Sequence, residues 1–363
     1  MTLNRKQDSI LSSIPNIRLH LLNPVTFVAT LLFLTVLRNG FSLYGTRYRS
    51  FENSGQPGDF DFSFGSPYVS TSLEWIGKTI GGVPFFIFYT VLVVIYLLLI
   101  NFELRLFSLE FRRKALVVIS LAPAITIILA RFGTYDAICL LSGILGGITN
   151  SRSRAIIYAI MFVGVNPEGA VVSAVCLIIY KFLCDRKSLQ SYKKDAQIFF
   201  AGVLLVGSLP YVLFSLLDKT RGSILESILF VDSFNALAQA LAAGLLLPFS
   251  WFGSLLFIFL VRVHFFSKHE KFAILFIVLF IGGTTMIASD GTRNGALAFT
   301  TFLIVLVVNR DDPDFLISID YRWFFILYFI PPINVSNFNL FLPFHQILYF
   351  FDVAQQILIT LPS

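Results

Sequence analysis

The chain is predicted to be all-α: a polytopic transmembrane bundle of about 10–12 spans with a long first non-cytoplasmic loop. Three observations predict it. Of 363 residues, 56% are hydrophobic and only 13% charged, against about 25% charged in a soluble domain. Phe alone supplies 41 residues, more apolar surface than a soluble interior can hide but not more than lipid can cover. The apolar runs are also continuous rather than alternating. In lipid every backbone polar group must be satisfied internally, so continuous runs mean helices and argue against a barrel.

The elements follow in order as a single transmembrane domain over 1–363, with a cytoplasmic segment over 1–20. Span 1 is expected at about Leu21–Leu37, followed by polar loop 1 over 38–82. Spans 2 and 3 are expected at about Val83–Asn101 and Ala115–Ala130, and span 4 at about Ala137–Ile148. Spans 5 and 6, Ala155–Val165 and Ala170–Phe182, are separated by Asn166-Pro-Glu-Gly169. Span 7 is expected at about Ile198–Leu217, span 8 at Ala236–Val263, span 9 at Phe272–Ser289 and span 10 at Ala296–Val308. The tail from Trp323 is expected to hold one or two more, interrupted by Pro331-Pro332. Several runs are short, which is tolerated where a helix lines a cavity instead of facing lipid. In loop 1, Tyr68, Val69, Leu73, Ile76 and Ile80 recur at roughly helical spacing and predict an interfacial helix. The first apolar run has no small-residue cleavage site after it and reads as a retained span.

Lys and Arg set the orientation. With the N-terminus cytoplasmic, inside segments carry 19 of the 27 basic residues. This predicts a multi-pass protein of the bacterial inner or plasma membrane, surrounded by membrane lipids. The net charge of +6 is then a property of cytoplasmic loops and does not call for nucleic acid. Cys139, Cys176 and Cys184 lie in or beside apolar runs with no CxxC spacing, which indicates neither a disulfide framework nor a zinc site.

The outside segments mix acids and arginines at helix ends. Gly58-Asp59-Phe-Asp61 in loop 1 is the clearest carboxylate signal; such a group can take a proton from an acceptor hydroxyl. Its bland alternative is a solvated loop pair. Arg131-Phe-Gly-Thr-Tyr-Asp136 joins two apolar runs and reads either as a site or as an interfacial anchor. Glu168 sits in a turn short enough to hold the acid near the bilayer, although Pro and Gly make a plain turn an equally simple reading. Asp290-Gly-Thr-Arg293 ends span 9; Arg293, like Arg221, could offer bidentate hydrogen bonds to a phosphate or serve a salt-bridged cap. Asp311, Asp312 and Asp314 resemble a metal or phosphate site, but the charge pattern assigns them to a cytoplasmic loop. His20, His264, His269 and His345 form no ligand spacing, and neither HExxH nor GxxxxGK[ST] occurs. No cofactor is evident. The acids leave room for a divalent metal, but no ligand set marks one. Asn334-Val-Ser336 fits the short glycosylation pattern.

The order of features has a familiar look. Loop 1 runs through Phe64-Gly-Ser-Pro-Tyr-Val-Ser-Thr-Ser-Leu-Glu-Trp-Ile-Gly-Lys-Thr-Ile-Gly-Gly82 into span 2. Then come Leu121-Ala-Pro123, Gly133-Thr-Tyr-Asp136, the basic turn Ser151-Arg-Ser-Arg154 and Asn166-Pro-Glu168. Over roughly Leu21 to Phe182 the chain resembles polytopic glycosyltransferases of the GT-C type, which use polyprenyl-phosphate-linked sugars. The resemblance implies a first-loop acid as catalytic base, Asp59 or Asp61 here, and a lipid-linked donor entering from the membrane. The acceptor would be a glycan or lipid hydroxyl, with Arg131, Arg221 or Arg293 stabilising the leaving phosphate. The first acid of the loop is Glu52, and Asp59 lies about twenty residues past span 1. A polymerase of lipid-linked repeat units and a transporter or flippase are the alternative readings. The latter calls for ionisable groups near the bilayer midplane and often for repeated halves.

Overall fold

The computed structural model describes residues 23–39, 76, 82–130, 136–184, 191–217, 253–286, 300–302, 304, 306–308, 314–329, 334–336 and 339–341. The secondary structure there is helical apart from one short hairpin. We label the helices α1 (Pro24–Asn39), α2 (Gly82–Glu103), α3 (Leu109–Leu121), α4 (Pro123–Ala130), α5 (Asp136–Ile148), α6 (Arg152–Val165), α7 (Pro167–Cys184) and α8 (Ser191–Leu217). Then follow α9 (Leu255–Val261), α10 (Lys268–Met286), α11 (Asp314–Ile317) and α12 (Tyr321–Phe329). Residues 300–302 and 306–308 are also helical.

Two helices, Ile87–Leu106 and Pro167–Cys184, are long and apolar enough to cross a membrane. The shorter apolar helices differ in setting as well as length. All thirteen residues of α5 are buried, and α5 packs against α2, α4, α6 and α8. A helix enclosed by other helices needs no lipid-facing surface. Small residues let its neighbours approach, as is common where helices meet in membranes. A Cβ on Gly146 would lie 2.1 Å from Phe200 Cε2 of α8, and one on Gly143 would lie 2.9 Å from Thr301 Oγ1. Gln197 Nε2 donates to the Gly147 carbonyl at 2.8 Å, tying the start of α8 to the end of α5. α7 packs against α6, α8 and α10.

The predicted third span is two helices. Pro123 has no N–H to donate, and the residue before a proline is pushed out of the α region. Ala122 accordingly takes φ −65°, ψ 138°, and its N–H closes onto Ile119 O at 3.1 Å. The break frees the Leu121 carbonyl, which accepts from Arg38 Nη1 at 3.3 Å. Arg38 Nη2 donates to Ser254 Oγ at 3.1 Å. Beside it Gly253 has φ +52°, and a Cβ there would sit 2.8 Å from Pro123 Cγ, so this close approach favours glycine.

Two connections share one design. α2 passes through a 3₁₀ turn, Leu104–Leu106, then Phe107 and Ser108 into α3; α9 passes through Val263–Phe265, then Phe266 and Ser267 into α10. Phe107 and Phe266 are both extended. Ser108 Oγ accepts the Phe111 N–H at 3.2 Å. Ser267 and Glu270 form a reciprocal capping box, with Glu270 N donating to Ser267 Oγ at 3.2 Å and Ser267 N to Glu270 Oε2 at 2.7 Å. Each device satisfies helix-start donors that a sharp reversal would otherwise strand.

Past α12 the chain departs from the all-helical expectation. Asn334–Ser336 and Asn339–Phe341 pair antiparallel, Val335 opposite Leu340. Pro331-Pro332 stops a helix from running on, and α12 ends at Phe329. The Asn334-Val-Ser336 pattern is the first strand. Of the predicted surface helix in loop 1, Ile76 is helical and the rest lies outside the described residues.

Candidate functional site

The antiparallel run α5–α6–α7–α8 gives the bundle two chemically distinct ends. Asp136 opens α5, and Glu168 occupies the second position of α7. Because α6 runs back between them and packs against both, the two carboxylates lie at the same end. Each sits where helix-start N–H groups and the macrodipole favour negative charge. Asp136 is 1% exposed, and Glu168 is exposed. The turn before Glu168 is a compact cap. Asn166 Oδ1 accepts the Gly169 N–H at 2.8 Å, and Pro167 supplies the fixed φ suited to the first helical position. The plain-turn reading of Asn-Pro-Glu-Gly therefore accounts for Asn166, Pro167 and Gly169. Asp59, Asp61, Arg131, Arg221, Asp290 and Arg293 lie outside the described residues.

Arg38 ends α1 and was not singled out in the sequence beyond its charge. Its signal, had it been used, was an arginine closing an apolar run that faces a Pro-broken span. Near it, the Ser120 and Tyr328 hydroxyls are hydrogen-bonded. Tyr328 belongs to an apolar groove between α1, α3 and α12 that also takes in Phe27, Leu31, Leu34, Val117 and Phe324. Leu34, the last α1 residue in its lining, stands one helical turn before Arg38.

The other end carries the basic residues. Glu103, 1% exposed at its side chain, accepts from Arg154 Nε at 2.6 Å and Nη2 at 3.2 Å. It also accepts from the Tyr158 hydroxyl at 3.2 Å. The pair is charge-assisted and two-pronged, the strong form of such contacts. Arg152 pairs with Asp195 at 2.7 Å, both well exposed, so water screens it heavily. Lys114, 3% exposed, pairs with Glu110 at 2.7 Å and lies over the Tyr321 ring at 4.9 Å. Arg113 stands 5.4 Å from the Phe27 ring. Asp320 accepts from Arg322 Nη2 at 2.6 Å. That hydrogen bond, with smaller help from Lys114, holds its carboxyl below the usual 3.8. Its contribution to stability is present above that value and fades as pH falls through the lowered one.

Asp314, from the acid run assigned to a cytoplasmic loop, begins the short helix α11. Phe315 beside it packs among Phe259, Phe265 and Phe266. No group of three or more His, Cys, Asp or Glu suited to a metal occurs among the described residues.

No family model, no curated protein and no solved structure matches the chain. The functional reading therefore rests on residues and geometry.

Proposed function

We propose that the chain is a membrane glycosyltransferase of the GT-C type. It moves a sugar from a polyprenyl-phosphate-linked donor to an acceptor hydroxyl on the non-cytoplasmic face of a multi-pass bundle. The observation that carries this reading is the Arg38 guanidinium near the end of α1 away from the basic turns, held by the Leu121 carbonyl and the Ser254 hydroxyl. The apolar side chains of Phe27, Leu31, Leu34 and Phe324 lead along α1 to within a turn of it. A guanidinium there suits the phosphate, because charge developing on a leaving group is best met by preorganised donors. Arg38 thereby joins Arg131, Arg221 and Arg293 as a phosphate candidate, and Asp136 and Glu168 contribute acids at the same end of the bundle.

In this scheme Asp59 or Asp61 removes the acceptor proton as the hydroxyl oxygen attacks the anomeric carbon. The bond from that carbon to the phosphate oxygen breaks, and the phosphate leaves with the electron pair.

The test is sugar transfer by purified protein in liposomes supplied with polyprenyl-phosphate-linked sugars. Asp59→Asn or Asp61→Asn is expected to lower kcat by about 100-fold or more, the scale of losing a general base. Full activity in both single variants and in the double variant removes the assignment of the base. Translocation of the lipid without transfer of its sugar overturns the enzyme in favour of a transporter.

A further inference from the structure

A second feature of the molecule points to lipid and does not depend on sugar transfer. On α2, the side chains Ile87, Val91, Ile95, Leu98 and Phe102, continued by Leu106, fall on one side of the helix and are each 41–62% exposed. The row is about 30 Å long at 1.5 Å per residue, close to the thickness of a bilayer's hydrocarbon core. It ends at the basic turn. Arg105 Cζ lies 4.1 Å from the centre of the Phe102 ring, and Arg154 Cζ lies 5.7 Å from the same centre.

The two guanidiniums differ in what they already hold. Arg154 spends Nε and Nη2 on Glu103, which leaves Nη1 with no hydrogen bond among the described residues. Arg105 is exposed and forms no ion pair or side-chain hydrogen bond among the described residues. An apolar row that terminates in two cations sharing one aromatic ring matches an amphiphile with a phosphate head.

We propose that this face of α2 binds an anionic phospholipid of the leaflet at the basic end. One acyl chain lies along Leu98, Ile95 and Val91, and the phosphate bridges Arg105 and Arg154 at the rim of Phe102. A zwitterionic lipid offers the same chain and phosphate, but its own cation offsets the attraction. Basic residues near a bilayer surface each contribute enough for about a five-fold change in binding of anionic lipid. The inference needs only that α2 crosses the bilayer.

The experiment uses the full chain in nanodiscs made of equal parts phosphatidylglycerol and phosphatidylcholine, with retained lipids counted by native mass spectrometry. Wild type is expected to retain phosphatidylglycerol preferentially. Arg105→Gln should cut that preference about five-fold, and Arg105→Glu should abolish it. Arg152→Gln, at an exposed pair outside this ring, should leave it unchanged. Because Arg105 is exposed and forms no ion pair or side-chain hydrogen bond among the described residues, losing its contact with the Phe102 ring should move the unfolding midpoint little. Equal retention of the two lipids by wild type overturns the proposal, as does an unchanged preference in Arg105→Glu. Stabilisation by inorganic phosphate equal to that by phosphatidylglycerol overturns it too, since the site would then read a free anion. Cross-linking of two copies through Leu98→Cys in the same nanodiscs would assign the row to a dimer interface instead.

Discussion

Arg154→Ala is expected to destabilise the protein by about 1–3 kcal/mol, the cost of leaving a buried polar group without its partner. The carboxylate of Glu103 is 1% exposed and takes both prongs of the guanidinium. Without Arg154 its remaining donor among the described residues is the Tyr158 hydroxyl, which cannot neutralise it. The asymmetry of the pair sharpens the expectation. Arg154 is 36% exposed, so removing Glu103 instead leaves a cation that water can still reach. Glu103→Gln should therefore cost clearly less than Arg154→Ala. Adding Glu103→Gln to Arg154→Ala should recover much of the loss, because the stranded charge is gone. Unfolding midpoints in detergent for the four proteins measure this. Losses that simply add would show that the two groups are not coupled.

Gly146→Ala is expected to cost about 1–3 kcal/mol, the range for overpacking a close-packed interior. Three ring atoms of Phe200 stand within 2.1–2.5 Å of the missing Cβ, so the ring faces the glycine broadside. Phe200 is fully buried, and α5 is enclosed on every side, so the ring has no open space to turn into. The shift must pass to the backbone of α5 or α8. Phe200→Leu in the same chain should return part of the lost stability by making room, while Phe200→Leu alone should destabilise by leaving a void. Gly202 of α8 gives the contrast: a Cβ there meets nothing within 4 Å, and Gly202→Ala should be neutral or slightly stabilising through better helix propensity.

The positions of these helices were largely legible from apolar runs. The boundaries of α2, α5, α6 and α7 fall within a few residues of those predicted, because a long run with polar flanks has few ways to be misplaced. The break at Ala122 differs from the single span expected over Ala115–Ala130. Prolines sit inside membrane helices often enough that Ala122-Pro123 alone does not say whether the helix bends or stops; the Arg38 contact with the freed carbonyl decides it. Glu103 reads in sequence as no more than the polar end of an apolar run. Its meaning comes from Arg154, 51 residues away, and no local pattern reports a pairing at that separation. The paired 3₁₀ turns escaped for a different reason. Phe107-Ser108 and Phe266-Ser267 share only a dipeptide, too short to mark a repeat without the hydrogen bonds of the two serines. In the candidate site, the placement of Asp136 and Glu168 at helix starts was legible from the ends of the apolar runs. The groove near Arg38 was not, since Phe27, Val117 and Phe324 meet only in the folded bundle.

The measurement that tests the account most directly is the sidedness of the two ends. In a variant with Cys184→Ser, where the other two cysteines are buried, single cysteines at Glu168 and Arg152 can be labelled in intact cells with a membrane-impermeant maleimide. Both positions are exposed, so each should react once it is reached. The account predicts that Glu168→Cys is labelled in intact cells and Arg152→Cys only after the membrane is opened. Labelling of both from the same side, or of Arg152→Cys alone from outside, would contradict it.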